Sequence, residues 1–91
     1  MSDDEYRLLQ AALLVDPESG AIIVGSGGLR KLRWSLPGRG KRGGARMIYY
    51  YWVTRGRIYM LYAYSKSAKG DLTRGQIRTL AGLMQSEVRD G

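Results

Sequence analysis

The chain has 91 residues and a formal net charge of +7 at pH 7, and it contains no cysteine and no histidine. This length predicts one domain with a small core, and the lack of cysteine excludes both a disulfide framework and a thiolate metal site. The lack of histidine argues against zinc and removes the usual general base near neutral pH, so any catalysis falls to Lys, Arg, Tyr, Ser, Thr or carboxylates.

The first predicted element is an N-terminal helix. Ser2 and Glu5 have the spacing of a capping box, and the apolar residues that follow recur at helical intervals. We therefore expect the helix to extend to about Val15. Pro17 and Gly20 should end it.

A basic strand and a glycine-rich loop follow. AIIVGSGG is a short apolar run that leads into a glycine loop, and GLRKLRW alternates at the period of a half-buried strand. GSGG and GRGKRGG are not phosphate-binding loops, because neither opens a helix and the second lacks Ser or Thr after Gly-Lys. We therefore expect no nucleotide cofactor. We interpret PGRGKRGG as a hairpin whose Arg39, Lys41 and Arg42 follow a nucleic-acid backbone.

Two aromatic strands and a second helix complete the chain. RMIYYYWVT and RIYMLYAYS are rich in β-branched and aromatic residues and meet at Arg55-Gly56, which predicts a tight hairpin. Thr73 and Gln76 form a second capping box before an amphipathic stripe. Helix, three-stranded antiparallel meander and helix make a small α+β fold. Two helices on one face of this sheet would leave the other face as a working surface.

The aromatic side chains of the strands have two interpretations. They could stack on bases, as in readers of single-stranded RNA. Because the chain has no Phe, however, Tyr and Trp must fill much of the core, and we assign more than half of them to packing. Strand alternation places Ile48, Tyr50 and Trp52 on the same face as Arg46.

Positive charge is concentrated in the middle of the chain. From Ser19 to Gly70 there are eleven Lys and Arg residues and no Asp or Glu. The expected partner is RNA, DNA, an anionic membrane surface or an acidic protein, unless this is a solvated basic face without function. The N-terminus is acidic, unlike a secretory signal, and the longest apolar run is too short to cross a bilayer. We therefore predict a cytoplasmic protein.

Lys66 and Lys69 follow the last predicted strand, beside Arg46 and the basic strand. They are either ordinary exposed lysines or part of a group that holds a scissile phosphate, in which Arg binds oxygens bidentately and Lys supplies charge or a proton. RNA cleavage without metal needs attack by the 2′-hydroxyl, proton transfer at two oxygens and cations for the developing charge. A crowded cationic site can depress a Lys or Tyr pKa enough for such proton transfer.

Four strings, GLRKLRW, PGRGKRGGARMIYYYW, LYAYSK and KGDLT, resemble the HigB branch of the RelE family, toxins of bacterial type II toxin–antitoxin systems. The resemblance runs from about Asp4 to about Leu83 and implies one RelE-like toxin domain over residues 1–91. It also implies a ribosome-dependent mRNA interferase, an endoribonuclease without metal or cofactor that cuts messenger RNA in the ribosomal A site. The expected partners are mRNA on the ribosome, ribosomal RNA and a cognate antitoxin protein.

The same resemblance implies roles for individual residues. Arg46 matches the arginine that stabilises the cleaved phosphate. Lys31 and Arg33 match a basic strand pair near the reacting 2′-hydroxyl, and Lys66 and Lys69 match the basic cluster after the last strand. Substrate binding, by base stacking or by contact with ribosomal RNA, is implied for one aromatic and three loop residues: Tyr64, Arg39, Lys41 and Arg42.

The chain differs from the family pattern at its start. Relatives usually begin with a β-strand and a further stretch of helix before the segment that corresponds to Met1, so the resemblance leaves open whether the sheet has three strands or four. An unpaired sheet edge invites pairing with another chain, and the expected consequences are a homo-oligomer, a swapped arrangement or a poorly active form.

Two other functions remain open from the sequence. The first is a non-catalytic RNA- or ribosome-binding module, such as a decayed toxin, whose binding would weaken steeply with salt. The second is a toxin of the related ParE branch that acts on DNA gyrase. The basic cluster after the last strand favours RNA chemistry over gyrase inhibition.

Overall fold

The computed structural model describes residues 3–34, 45–65 and 71–90. In chain order its α-helices and strands are α1 (Asp3–Val15), β1 (Ala21–Ile22), β2 (Leu29–Trp34), β3 (Ala45–Trp52), β4 (Arg57–Ser65) and α2 (Arg74–Asp90), and a 3₁₀ turn (Val53–Arg55) connects β3 to β4. The strands pair antiparallel in the order β1-β2-β3-β4. The predicted α+β class and the order of helix, meander and helix are confirmed.

A fourth strand is present, and it comes from the segment interpreted as an apolar run. β1 is only two residues long, and both pair with β2: Ala21 with Lys31 and Ile22 with Arg30. The turn between them is closed by Ser26, whose buried hydroxyl donates to the Ile23 carbonyl at 2.6 Å and accepts from the Leu29 N–H at 3.0 Å. The GSGG segment is therefore a structural turn, as its lack of a following helix indicates.

The two helices pack on opposite faces of the sheet, so the expectation that both cover one face is wrong. Successive residues of β3 alternate between two clusters: Ile48 packs with Leu29 and Met84 of α2, whereas Met47 packs with Leu9 of α1. Because β3 is apolar on both faces, each face needs its own cover. An open surface can remain only where a helix stops short of the strand ends.

Tyr49 ties the end of α1 to the sheet. Its ring is fully buried on the α1 face, its hydroxyl donates to the Pro17 carbonyl at 2.7 Å, and it accepts from the Gly20 N–H at 2.9 Å. Arg30 supports the same segment: it donates to the Gly20 carbonyl at 2.8 Å and lies 3.6 Å from the carboxylate of Glu18. Arg30 is therefore structural, although it belongs to the basic string of the sequence.

The predicted capping box at the start of α2 is confirmed. The Thr73 N–H donates to the Gln76 side chain at 2.8 Å, and the Gln76 N–H donates to the Thr73 hydroxyl at 3.1 Å. These two bonds satisfy backbone donors that a helix start leaves without partners. At the start of α1 the predicted box cannot be compared, because Ser2 lies outside the described residues.

β4 lies at an edge of the sheet. It is the longest strand, with nine residues, and it pairs with β3 along one side through a register that shifts between Ile48 and Tyr49. Among the described residues no strand lies along its other side. Pairing of this edge with a second copy stays a prediction. Across the described ranges, neither helix is long and apolar enough to cross a membrane.

Candidate functional site

Four of the predicted site residues lie together at one end of the sheet. Arg33, Arg46 and Tyr64 form a row across β2, β3 and β4, because Arg46 pairs with Arg33 on one side and with Tyr64 on the other. Lys31, two residues from Arg33 on the same strand, pairs with Ile48. Residues two apart in a strand share a face, so all four belong to the face that α2 partly covers.

The pairing of Arg33 with Arg46 is costly for the fold. Directly opposite residues of antiparallel strands have Cβ atoms about 4.5–5.5 Å apart, and like charges at that separation are destabilising. Arg46 is half-buried and Arg33 is exposed. A local choice that opposes folding is typical of a functional site. The arrangement can hold an anion, because two guanidinium groups can share the negative charge of one phosphate.

Asp71 is a member of this group that the sequence analysis missed. Its Oδ1 atom accepts a hydrogen bond from the Tyr64 hydroxyl at 3.3 Å and lies 3.6 Å from the Lys31 Nζ atom. One carboxylate oxygen therefore joins β2 to β4 across the central strand. A signal existed in the sequence, since Asp71 is the first acidic residue after Glu18 and follows the long basic segment directly.

The pKa of Tyr64 is raised above its ordinary value of 10.0. Burial is the largest cause, followed by the charge of Asp71 and the hydrogen bond to it, while the charge of Arg46 and a backbone hydrogen bond with Leu72 act in the opposite direction. A crowded cationic site can lower a Tyr pKa, but at Tyr64 burial and Asp71 outweigh the charge of Arg46. Near neutral pH its hydroxyl is protonated and can donate a hydrogen bond or a proton, but it cannot act as a base.

The raised pKa of Tyr64 predicts a loss of stability at alkaline pH. Because the folded-state pKa lies above the unfolded value of about 10, the folded protein keeps the phenol proton to a higher pH than the unfolded chain does. The resulting contribution to stability is complete below about pH 10 and is lost as the pH rises above it. Unfolding curves of wild type and Tyr64→Phe should run in parallel from pH 8 to about 10. Above that pH, wild type should lose stability relative to the variant. A constant difference up to pH 11 would contradict the shift.

Tyr62 is the exposed aromatic of the site. Its ring stacks on that of Tyr64, with centroids 5.9 Å apart and planes at 24°, and it is 37% exposed. A groove of about 260 Å³, which Tyr62 lines with Leu72 and Leu80, lies beside it. Tyr64 is only 8% exposed, so its predicted role as a stacking platform suits Tyr62 better. A base stacked on Tyr62 would lie next to the cationic row.

Most of the strand aromatics pack in the core, as predicted. Tyr49 and Tyr64 are buried, and a further set packs against one of the two apolar clusters: Tyr50, Tyr51 and Tyr59. Trp52 instead lies near the hairpin turn, where its ring contacts Tyr59 and the guanidinium of Arg55. Packing thus accounts for the greater part of this group, and Tyr62 is the member best placed to meet a ligand.

Five of the predicted site residues lie outside the described residues: Arg39, Lys41, Arg42, Lys66 and Lys69. Their assigned roles remain predictions. The described residues that flank these two segments are Trp34, Ala45, Ser65 and Asp71. The first three belong to the same end of the sheet as Arg33 and Arg46.

No protein family model matches the chain.

Proposed function

We propose that this protein is an endoribonuclease, an mRNA interferase that cuts messenger RNA on the ribosome as the toxin of a type II toxin–antitoxin system. The observation that carries the proposal is the row of Arg33, Arg46 and Tyr64 with Lys31 beside it, on one face at one end of the sheet. The resemblance of the sequence to the HigB branch of the RelE family supports the same function.

The proposed reaction needs no metal. The 2′-oxygen of one nucleotide attacks the adjacent phosphorus and passes its proton to solvent water, the bond from phosphorus to the 5′-oxygen breaks, and that oxygen takes up a proton from solvent. Arg46, at the centre of the row, stabilises the charge that develops on the phosphate oxygens. The resemblance assigns Lys31 and Arg33 to the 2′-hydroxyl side of the phosphate, and it assigns Lys66 and Lys69 to the basic cluster that follows the last strand.

Tyr64 has a donor role in this reaction. Its pKa, ordinarily 10.0, is raised further by burial, so the phenol is protonated at neutral pH and its hydroxyl can donate to a phosphate oxygen. Tyr62 offers an exposed ring on the same face, on which the base next to the cut can stack. The substrate is therefore single-stranded RNA, since a paired base cannot reach such a ring.

The proposal also names partners. Ribosomal RNA would meet Arg39, Lys41 and Arg42 through non-specific phosphate contacts. A cognate antitoxin would neutralise the toxin by covering the cationic row, because acidic side chains can pair with the cations that otherwise hold phosphate. The proposed location is the cytoplasm.

Expression of the protein under tight control tests the function. We expect growth to stop and new 5′ ends to appear inside translated messages, with fewer new ends when ribosomes are kept off the message. The matched control is the Arg46→Ala variant, expressed to the same level. Unchanged 5′-end maps and normal growth with the wild-type protein would exclude mRNA cleavage. Ribosome binding without new ends would instead favour the non-catalytic module.

A further inference from the structure

Asp71 places a negative charge inside the cationic group. Its Oδ1 atom lies 3.6 Å from the Lys31 Nζ atom and 3.3 Å from the Tyr64 hydroxyl, and these two partners belong to β2 and β4. The strand between them is β3, which carries Arg46 on the same face. A single oxygen that contacts both partners therefore lies on the face of the sheet that carries Arg46.

A phosphate that uses the same groups needs this position. Lys31 and Tyr64 can each donate to a non-bridging phosphate oxygen, and Arg46 can bind a second oxygen of the same group. A carboxylate oxygen and a phosphate oxygen cannot both occupy the space between two donors that one oxygen already bridges. In the structure, the Asp71 carboxylate therefore occupies the position that a bound phosphate would take.

We propose that Asp71 is an internal counter-anion of this site, which occupies the phosphate position in the free protein and is displaced when RNA binds. The proposal rests on the proposed function for the identity of the ligand, but it concerns binding and does not depend on cleavage. Displacement removes one carboxylate contact from Lys31 and Tyr64 and replaces it with a phosphate contact.

The exchange is energetically accessible. The side chains of Asp71 and Lys31 are 50% and 38% exposed, and exposed ion pairs contribute only about 0–1 kcal/mol. A phosphate brings more than one charged oxygen and meets Arg46 as well as Lys31, so it forms more charge-assisted hydrogen bonds than the carboxylate. We therefore expect a nucleic-acid backbone to displace Asp71 and a weak single anion to leave it in place.

Asp71→Asn tests the exchange, because it keeps the size of the side chain and removes its charge. The probe is a single-stranded oligonucleotide of 2′-O-methyl RNA, which lacks the attacking hydroxyl and cannot be cut. We expect the variant to bind it about twofold to fivefold more tightly than wild type in fluorescence anisotropy at constant salt. In a Lys31→Ala background the same change should have a smaller effect, because Asp71 has then lost its partner on β2.

Glu18→Gln is the matched control. Glu18 also pairs with a β2 cation at 3.6 Å, that of Arg30, so its replacement changes the net charge equally, but on the opposite face. Equal tightening by both variants would indicate a net-charge effect and overturn the proposal. Unchanged binding, or no binding, by Asp71→Asn would also overturn it. Asp71→Ser serves if the first variant does not fold. Tighter binding by Asp71→Asn in a protein that cuts no RNA would sustain the exchange and refute the proposed function alone.

Discussion

Replacement of Arg46 by alanine should lower the rate of the proposed mRNA cleavage by about 10²- to 10³-fold, a loss of roughly 2.7–4 kcal/mol in transition-state stabilisation, as for other single donors to a developing anion. The reason is its central position: Arg33 flanks it on β2 and Tyr64 on β4, so Arg46 is the residue of the row that lies next to both other members. Primer extension on a purified ribosome complex, with enzyme limiting, measures the rate.

The Arg46→Ala variant should remain folded. Removal of Arg46 relieves the repulsion from Arg33, which offsets the loss of packing by its half-buried stem. The control is Arg57→Ala, which removes an exposed arginine opposite Trp52 at the far end of the same strand pair. We expect that control to cut at the wild-type rate. Wild-type cutting by Arg46→Ala, or an equal loss in both variants, would refute the role given to Arg46.

The strands and helices with strong local patterns were predictable from the sequence. β3 and β4 are long aromatic runs on either side of Gly56, whose φ of 60° is the left-handed conformation that a glycine adopts easily. The two-residue strand β1 carries no such signal, because two residues show no alternation. β1 is held against β2 by the turn between them. Ser26 closes that turn with its hydroxyl, and three glycines beside Ser26 adopt positive φ.

The placement of the helices was less accessible. A stretch such as Met47, Ile48 and Tyr49 is apolar without alternation, and this pattern indicates a strand buried on both faces. The sequence therefore contained the information, but the capping boxes and apolar stripes of the helices do not say which face each one covers. Which face each helix covers depends on how the segment between that helix and the sheet folds, and the local pattern of the helix does not show this.

The candidate site shows the same division. Spacing along one strand puts Lys31 and Arg33 on one face, and the hairpin pattern brings Arg46 beside Tyr64. The contact of Asp71 with both β2 and β4 depends on the direction in which the chain enters α2. Residues 31, 64 and 71 are separated in sequence and meet only in the folded chain. Local reasoning therefore found the cations and missed the carboxylate among them.

The fold should be most sensitive to small changes next to Tyr49. A Cβ atom added at Gly20 would lie 2.7 Å from the Tyr49 Cε1 atom, 2.8 Å from its hydroxyl and 3.1 Å from the Lys31 carbonyl oxygen. The last of these contacts is with backbone and cannot move aside. The space is closed because Tyr49 accepts from the Gly20 N–H, so any shift of the ring also breaks that bond.

Gly20→Ala should therefore lower the free energy of unfolding by about 1–3 kcal/mol through overpacking, and by about 1–3 kcal/mol more if the buried Tyr49 hydroxyl loses its partners. Gly82→Ala is the matched control: it lies on an exposed position of α2, where an added Cβ meets nothing within 4 Å. The same substitution should there raise stability by about 0.8–1 kcal/mol, because alanine is the better helix former. Thermal unfolding monitored by circular dichroism should thus show shifts of opposite sign. Equal stability of Gly20→Ala and wild type would mean that the Tyr49 contact does not hold the end of α1 to the sheet.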